Sequence, residues 1–247
     1  YELCRLTGDG WEKWQQEMRA EEHNYIELAL TYSEAGLAED AADILRRAPL
    51  PGGPMLHYYL YALTQEEEEL AKAERAPSLY CFPNRLEDLL VLKNAVQKDA
   101  PYAAYYLGCL LYDRGRWQEA QTYWEDCAQK IALPTVWRNL ALVYYNKHQD
   151  GARARAAMKK AFALDPTDAR VFFELDQLEK TLNAPFAERL NRMKEQAALL
   201  EQRDDLYTEY ITLLNLNGEY EKAYDCILHH RFHPWEGGEG KIPADRK

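Results

Sequence analysis

No run of about 18 apolar residues occurs in this 247-residue chain, so nothing in it is patterned to span a bilayer. No positively charged stretch followed by an apolar core opens it, and no secretory signal is expected. The first residue is Tyr1 rather than Met, which reads as the start of a piece cut from something longer. Basic charge is in short supply. Thirty Lys and Arg stand against 41 Asp and Glu, for a formal net charge of −11 and a pI near 5.1. Phosphate neutralisation needs clustered cations, so a nucleic-acid partner is not expected. An anionic membrane surface is disfavoured for the same reason.

Paired cysteines are missing too. The five, Cys4, Cys81, Cys109, Cys127 and Cys226, are odd in number and form no Cys-x-x-Cys. Three lie in apolar helical patterns, where a free thiol packs as a small hydrophobe. A reducing, cytoplasmic setting without disulfides is the expectation. No alternating strand pattern of useful length occurs. No nucleophile elbow, zinc-protease helix or cysteine-pair zinc spacing is present. "GGEGK" (Gly237 to Lys241) fails as a phosphate loop: the leading glycine would have to be Trp235, and Ile242 stands where a hydroxyl should bind magnesium. No catalytic residue, metal or cofactor is therefore expected, and the chain is not read as an enzyme.

What is present is helix, repeated. Apolar periodicity predicts fourteen helices between residues 9 and 230. "GLAEDA" (Gly36 to Ala41), "GRWQEA" (Gly115 to Ala120) and "GEYEKA" (Gly218 to Ala223) each hold Gly, four residues, then Ala. Each lies between two apolar helical segments. Gly ends one helix by taking left-handed backbone angles, and Ala lets the next helix pack close. Gly115 and Gly218 are 103 residues apart, three periods of about 34 residues plus one. Gly36 and Gly115 are 79 apart, two periods plus eleven. One extra residue in "NKHQDG" accounts for the first excess. The "EEEE" run (Glu66 to Glu69) and the proline-broken "APSLYCFPNR" account for the second. The "EEEE" run is expected to be a solvated helix face, the sharper alternative being a dock for a basic partner.

Three stretches carry a resemblance. Trp137, Leu140, Ala141 and Tyr144, followed by Ala154, Met158, Ala161 and Pro166, form one unit. Leu107, Gly108, Ala120, Trp124 and Cys127 form another, and Tyr25, Leu28, Ala29, Tyr32, Gly36, Ala41, Leu45 and Ala48 a third. On these residues the chain resembles the tetratricopeptide-repeat (TPR) family. The resemblance implies an all-α fold, a right-handed α-solenoid of helix–turn–helix repeats, as a single domain over residues 1–247 with an irregular insertion at about 65–85. Its weakest junction is expected near Pro77 to Asn84. Asp176 stands where the family wants a small residue, which predicts a loosened unit, and His230 replaces a small residue in the last hairpin.

The resemblance also implies a site. In this family the first helix of each pair lines a concave groove. The inward positions are then Tyr102, Tyr105, Cys109 and Tyr112 in one unit, Arg138, Tyr145 and Asn146 in the next, and Arg170, Phe173 and Gln177 in the one after. Tyr and Arg are favoured interface residues, so these positions read as partner-binding anchors. The alternative reading is that the eighteen tyrosines half-fill the core between loosely matched helices. Family members that grip chaperone C-terminal carboxylates carry Lys or Arg and Asn at positions held here by Ile26 and Leu30, so that partner class is not expected.

"HHRFHPWEGGEGK" (His229 to Lys241) stands apart. His229, His233 and Glu236 would suit zinc if a helix continued through them, but Pro234 biases His233 away from helical angles. An ordered turn anchored by Trp235 is the preferred reading, with His230, His233 and Trp235 as contact residues docking on the last helix pair or on a missing remainder. "RFHPWEGGEGK" also resembles a stretch in the C-terminal repeat region of large bacterial proteins of unknown function that carry an N-terminal mutarotase-like region. That implies an accessory helical part of a carbohydrate-active or sugar-binding protein. Two functions follow. One is a non-catalytic scaffold that binds a protein, a peptide, a neighbouring domain or another copy of itself. The other is the accessory part.

Overall fold

The computed structural model describes residues 1–19, 21–78 and 80–233. All regular structure in them is helical. The chain forms two compact units, Tyr1–Ala132 and Leu133–Lys247. The division falls at Ala132/Leu133 and not in the Pro77–Asn84 stretch. That stretch is fastened from below: the buried Asp88 carboxylate accepts the Asn84 N–H (2.8 Å), the Arg85 N–H (3.0 Å) and the Tyr59 hydroxyl (2.6 Å).

The first unit holds α1 (Glu2–Thr7), α2 (Trp11–Glu17), α3 (Glu22–Glu34), α4 (Ala38–Arg46), α5 (Pro54–Thr64), α6 (Glu67–Arg75), α7 (Leu86–Val96), α8 (Pro101–Asp113) and α9 (Trp117–Lys130). The helices pair as hairpins α3/α4, α5/α6 and α8/α9. Helix α7 belongs to no hairpin; it packs on α5 and α8 and takes up much of the excess spacing between Gly36 and Gly115. Helix α1 was not expected from periodicity. Tyr1 before it nests against Trp11, Trp14 and Tyr32, with ring centroids 5.3–5.9 Å apart.

The second unit holds α10 (Pro134–Asn146), α11 (Gly151–Leu164), α12 (Ala169–Thr181), α13 (Phe186–Glu195), α14 (Ala197–Leu200), α15 (Asp204–Leu216) and α16 (Tyr220–His229). Hairpins α10/α11 and α15/α16 stack with α12 and α13 between them. Each unit is thus a side-by-side stack of antiparallel helices, the arrangement of an α-solenoid. Proline opens α5, α8 and α10 at the first turn, where its missing N–H leaves no helical bond unmade.

The turns show why Gly-x4-Ala recurs. Gly36, Gly115 and Gly218 have φ of 81°, 76° and 79°. At each, the glycine N–H donates to the carbonyl three back, and the next N–H donates five back: Leu37 to Tyr32, Arg116 to Leu111, Glu219 to Leu214, each 2.9 Å. Five residues on, Ala41, Ala120 and Ala223 are fully buried. In "NKHQDG" the left-handed residue is Gln149, φ 55°, and the closing bond runs six back, from Asp150 N–H to the Tyr144 carbonyl (2.9 Å). The extra residue read from the 103-residue spacing is this one. Ala154, five past Gln149, is again buried. A left-handed conformation costs a residue with a Cβ about 1–2 kcal/mol. Gln149→Gly is therefore expected to raise stability by about 1 kcal/mol, read as a higher denaturation midpoint at unchanged urea slope.

Two expectations need correction. Asp176 does not loosen its unit. It is buried against Arg189, whose guanidinium donates to both its oxygens (3.0 and 2.5 Å) and on to Glu209 (2.6 Å). The small residue is replaced by a satisfied charge network. The "EEEE" run is not wholly solvated. Glu66, Glu67 and Glu68 are exposed, but Glu69 is buried and meets His57 Nδ1 at 2.7 Å and Lys72 Nζ at 2.7 Å. Burial alone would raise the Glu69 carboxyl. Bonds from Lys72 and His57 outweigh that and hold it below the ordinary glutamate range.

Candidate functional site

The anchors expected on first helices fall in both units, one set on α8 and another on α10 and α12. In the first unit, α8 carries Tyr102, Tyr105, Cys109 and Tyr112, all half-buried. Tyr105 lies 5.1 Å from the Tyr106 ring and its phenol bonds to Cys109. Burial and that thiol push its ionisation well above the ordinary range. The Tyr105 carbonyl accepts the indole N–H of buried Trp124 (3.2 Å), and Trp124 in turn lies 5.5 Å from the Tyr112 ring. The Tyr102 N–H donates to Glu74 (3.0 Å), as does the Ala103 N–H (3.1 Å). These tyrosines are braced by their own unit and present part of each ring outward.

In the second unit Phe173 packs against the core, and the structure brings Arg138 and Arg170 together, though they lie on two helices. The residue that joins them is Glu174, which sequence reading missed. Its carboxylate takes both ends of the Arg138 guanidinium, across from α10, and the Arg170 Nε (3.2 Å). Arg203, just before α15, sits 6.0 Å from the Phe173 ring and pairs with Asp205 (2.7 Å). First helices α10 and α12 and the start of α15 thus contribute three guanidiniums and one half-buried aromatic ring to one patch. The 36-residue spacing of Arg138 and Glu174, close to one repeat, is the signal that could have paired them. Tyr145 is half-buried and Asn146 exposed at the C-terminal end of α10, apart from the guanidinium cluster.

Burial raises the Glu174 carboxyl, but the bonds from Arg138 and Arg170 lower it further, leaving it below the ordinary value of about 4.3. A depressed folded value means the stabilisation is complete above about pH 4.3 and disappears as pH falls through the lower folded value. A carboxyl-carbon NMR titration is expected to show Glu174 titrating below its exposed neighbours, with Arg138→Ala moving that midpoint upward.

The terminal stretch is described as far as His233. Helix α16 ends at His229, and His230 already has extended backbone (φ −76°, ψ 131°). His229 and His233 therefore share no helix face. His229 turns to Asp225 (3.0 Å) and His233 to Asp204. His230 stacks on Tyr207 at 3.7 Å and 11°, places Nε2 3.2 Å from Asp204 and Nδ1 3.3 Å from Glu201, and packs edge-on to Phe232 at 4.6 Å. The His233 N–H donates to Asp204 (2.5 Å). Residues 230–233 are thereby fastened to the start of α15, within the last helix pair. Trp235 and Glu236 lie outside the described residues.

No group of three or more His, Cys, Asp or Glu among the described residues forms a metal-binding arrangement. None of the five cysteines is in a disulfide, and burial pushes Cys81 and Cys127 up to about 12, far from the thiolate a nucleophile needs. A cavity of about 550 Å³ opens in the first unit beside Glu22, Ile26, Gly53, Cys81 and Asp88. Its acidic walls are already engaged, Glu22 by the Gly53 N–H (2.5 Å) and Asp88 by the three donors named above. No described helix is long and apolar enough to cross a membrane.

No family model matches the chain. Among solved structures it is similar to MamA (residues 41 to the end) from Desulfovibrio magneticus RS-1, at 17% identity over 74% of this chain and 97% of that one, with TM-score 0.43. It is similar to the C-terminal part of a TPR repeat-containing protein from Cytophaga hutchinsonii, at 14% identity, 88% and 86% coverage and TM-score 0.47. It is also similar to a thermophilic TPR protein of Thermus thermophilus, at 19% identity, 78% and 99% coverage and TM-score 0.42.

Proposed function

We propose that the chain is a non-catalytic protein-interaction scaffold of TPR-like repeats, its two units acting as parts of one repeat domain. It binds a protein or peptide on the exposed faces of its first helices. The observation that carries this reading is the patch of Arg138, Arg170, Phe173 and Arg203 around Glu174. Arginine and aromatic side chains held by neighbouring contacts lose little entropy on binding, and residues of this kind dominate interface energetics. Tyr102, Tyr105 and Tyr112 play the same part on α8. His230 and His233 secure the start of the terminal stretch, in which Trp235 follows as a further contact residue. A partner with acidic and apolar side chains suits the guanidinium patch: its carboxylates can share Arg170 and Arg203 while an apolar group covers Phe173.

The test uses the whole chain as bait in lysate of its source cell, followed by titration of each purified partner. Phe173→Ala/Arg170→Ala is expected to weaken binding at least about tenfold, the scale of one interface hot spot. Tyr105→Ala/Tyr112→Ala tests the α8 surface in the same way. Partners unaffected by either pair, but lost on truncation at Leu228, would move the site to the terminal turn and overturn this reading.

The second reading, an accessory helical part of a carbohydrate-active or sugar-binding bacterial protein, rests on the wording of "RFHPWEGGEGK". Of that stretch the described residues are Arg231 to His233. Their docking on α15 is a packing role and adds nothing in favour of a sugar site.

A further inference from the structure

The proline-broken stretch "APSLYCFPNR" lies outside every hairpin and holds two aromatic rings out to solvent. Its side chains alternate. Tyr80 and Phe82 are 89% and 77% exposed, while Cys81 between them turns inward to the Tyr106 phenol. The segment is fastened beneath the rings: Asp88 accepts the Asn84 and Arg85 N–H groups, and the Arg114 guanidinium donates to the Asn84 carbonyl. Tyr80 keeps a left-handed φ of 61°, which costs a residue with a Cβ about 1–2 kcal/mol. Two large rings are thus presented at a backbone cost. Both line the cavity of about 550 Å³, a volume within the range of ligand pockets.

Negative charge is the second feature of this cavity. Glu22, at the start of α3, and Asp88, in the first turn of α7, both line it. Their hydrogen bonds come from neutral groups: the Gly53 N–H for Glu22 (2.5 Å), and the Tyr59 hydroxyl and two N–H groups for Asp88. The N-termini of α5 and α7 add only partial positive charge. Among the described residues no ion pair reaches Glu22. The Arg85 guanidinium stands 4.0 Å from Asp88 and turns to Glu27 (2.7 Å) and His23 (2.6 Å) instead. Burial is the main cause of the raised Cys81 thiol, and the charges of Glu22 and Asp88 add to it, which sets both carboxylates near one point of the cavity wall.

We infer that this cavity binds an organic cation, an alkylammonium or guanidinium group on an apolar stem, with its charge beside Glu22 and Asp88 and its stem against Tyr80 and Phe82. The carboxylates select the sign of the charge. The rings attract a cation at their faces and cover the apolar stem. A bare metal ion needs a shell of oxygen ligands, which rings and prolines do not supply. A free amine and a lysine side chain carry the same group and differ only in what is attached to it. The site uses none of the first-helix anchors, so its test is independent of the scaffold reading.

The test titrates the whole chain calorimetrically with hexylammonium, hexanol and hexanoate, probes of one length that differ in charge. Hexylammonium is expected to bind at least about tenfold more tightly than hexanol, and hexanoate most weakly. Glu22→Gln keeps an acceptor for the Gly53 N–H and removes the charge. It should abolish the preference for the cation while leaving the circular dichroism melt unchanged. Tyr80→Ala/Phe82→Ala, at exposed positions, should weaken hexylammonium at least about fivefold. Nα-acetyl-lysine methylamide then separates the sources: tighter binding than hexylammonium assigns the site to a protein side chain, and weaker binding assigns it to a free amine. Equal affinity for hexylammonium and hexanol overturns the inference. So does hexanoate as the tightest probe, or a preference for the cation that survives Glu22→Gln.

Discussion

An Arg189→Ala chain is expected to lose about 3–5 kcal/mol of stability in its second unit, the largest effect of any substitution considered. Arg189 is 1% exposed and links three helices: it sits on α13, grips Asp176 of α12 with two bonds and reaches Glu209 of α15 with a third. Lys180 holds Glu209 from the other side at 2.9–3.0 Å. Burial raises the Glu209 carboxyl, but bonds from Lys180 and Arg189 more than reverse that, so the acid is charged at neutral pH. Removing the guanidinium leaves Asp176 buried without its counter-ion and Glu209 with only Lys180. Arg189→Lys is expected to recover little, since a point charge cannot reproduce the fork. The network's value lies in not being broken rather than in being ionic. Asp176→Leu/Arg189→Met/Glu209→Leu is expected to return close to the parent stability or above it. Urea unfolding with amide exchange read over α12, α13 and α15 separates these cases. A single-variant loss below about 1 kcal/mol, the scale of an exposed ion pair, would contradict the account.

Gly108→Ala is expected to cost about 1–3 kcal/mol, although alanine is the better helix former by about 1 kcal/mol. A Cβ at this position would stand 2.6 Å from Trp124 Cδ1 and 2.9 Å from Cε2, and closer still to Nε1. The indole is rigid and 3% exposed, and it is held by its bond to the Tyr105 carbonyl, so it cannot turn aside cheaply. Overpacking therefore outweighs propensity. The displacement also shifts Tyr105 and Tyr112, the anchors on the outward side of α8. Gly108→Ala/Trp124→Leu is expected to recover part of the loss by making room. Thermal melts of the four chains of this cycle give the coupling, and a Gly108→Ala chain as stable as the parent would refute it.

The two predictions mark the boundary of what sequence shows. Gly108 belongs to a repeating pattern, and a close helix approach leaves a periodic trace: Ala29 and Gly108 stand seven residues before their turn glycines, and Ala141 eight before Gln149. The turns are legible for the same reason, down to the extra residue at Gln149. Arg189 leaves no such trace. An ion pair across a hairpin depends on two side chains reaching one another, not on spacing, so Asp176 alone reads as a defect until its partner thirteen residues on is seen. Glu69 inside an acidic run and Glu174 between two arginines were hidden in the same way. Helix α1 escaped because its leucines, Leu3 and Leu6, are 72% and 83% exposed. Its placement comes from the rings around Tyr1 instead.

The central claim is that recognition occurs on the first helices, and site-specific photocrosslinking tests it most directly. A benzophenone side chain would be placed in turn at Tyr112 of α8 and Phe173 of α12, and at exposed Thr122 of α9 and Arg155 of α11, on second helices. The account predicts a defined crosslinked partner from Tyr112, Phe173 or both, and none from Thr122 or Arg155. The same partner captured only from Thr122 or Arg155 would contradict it.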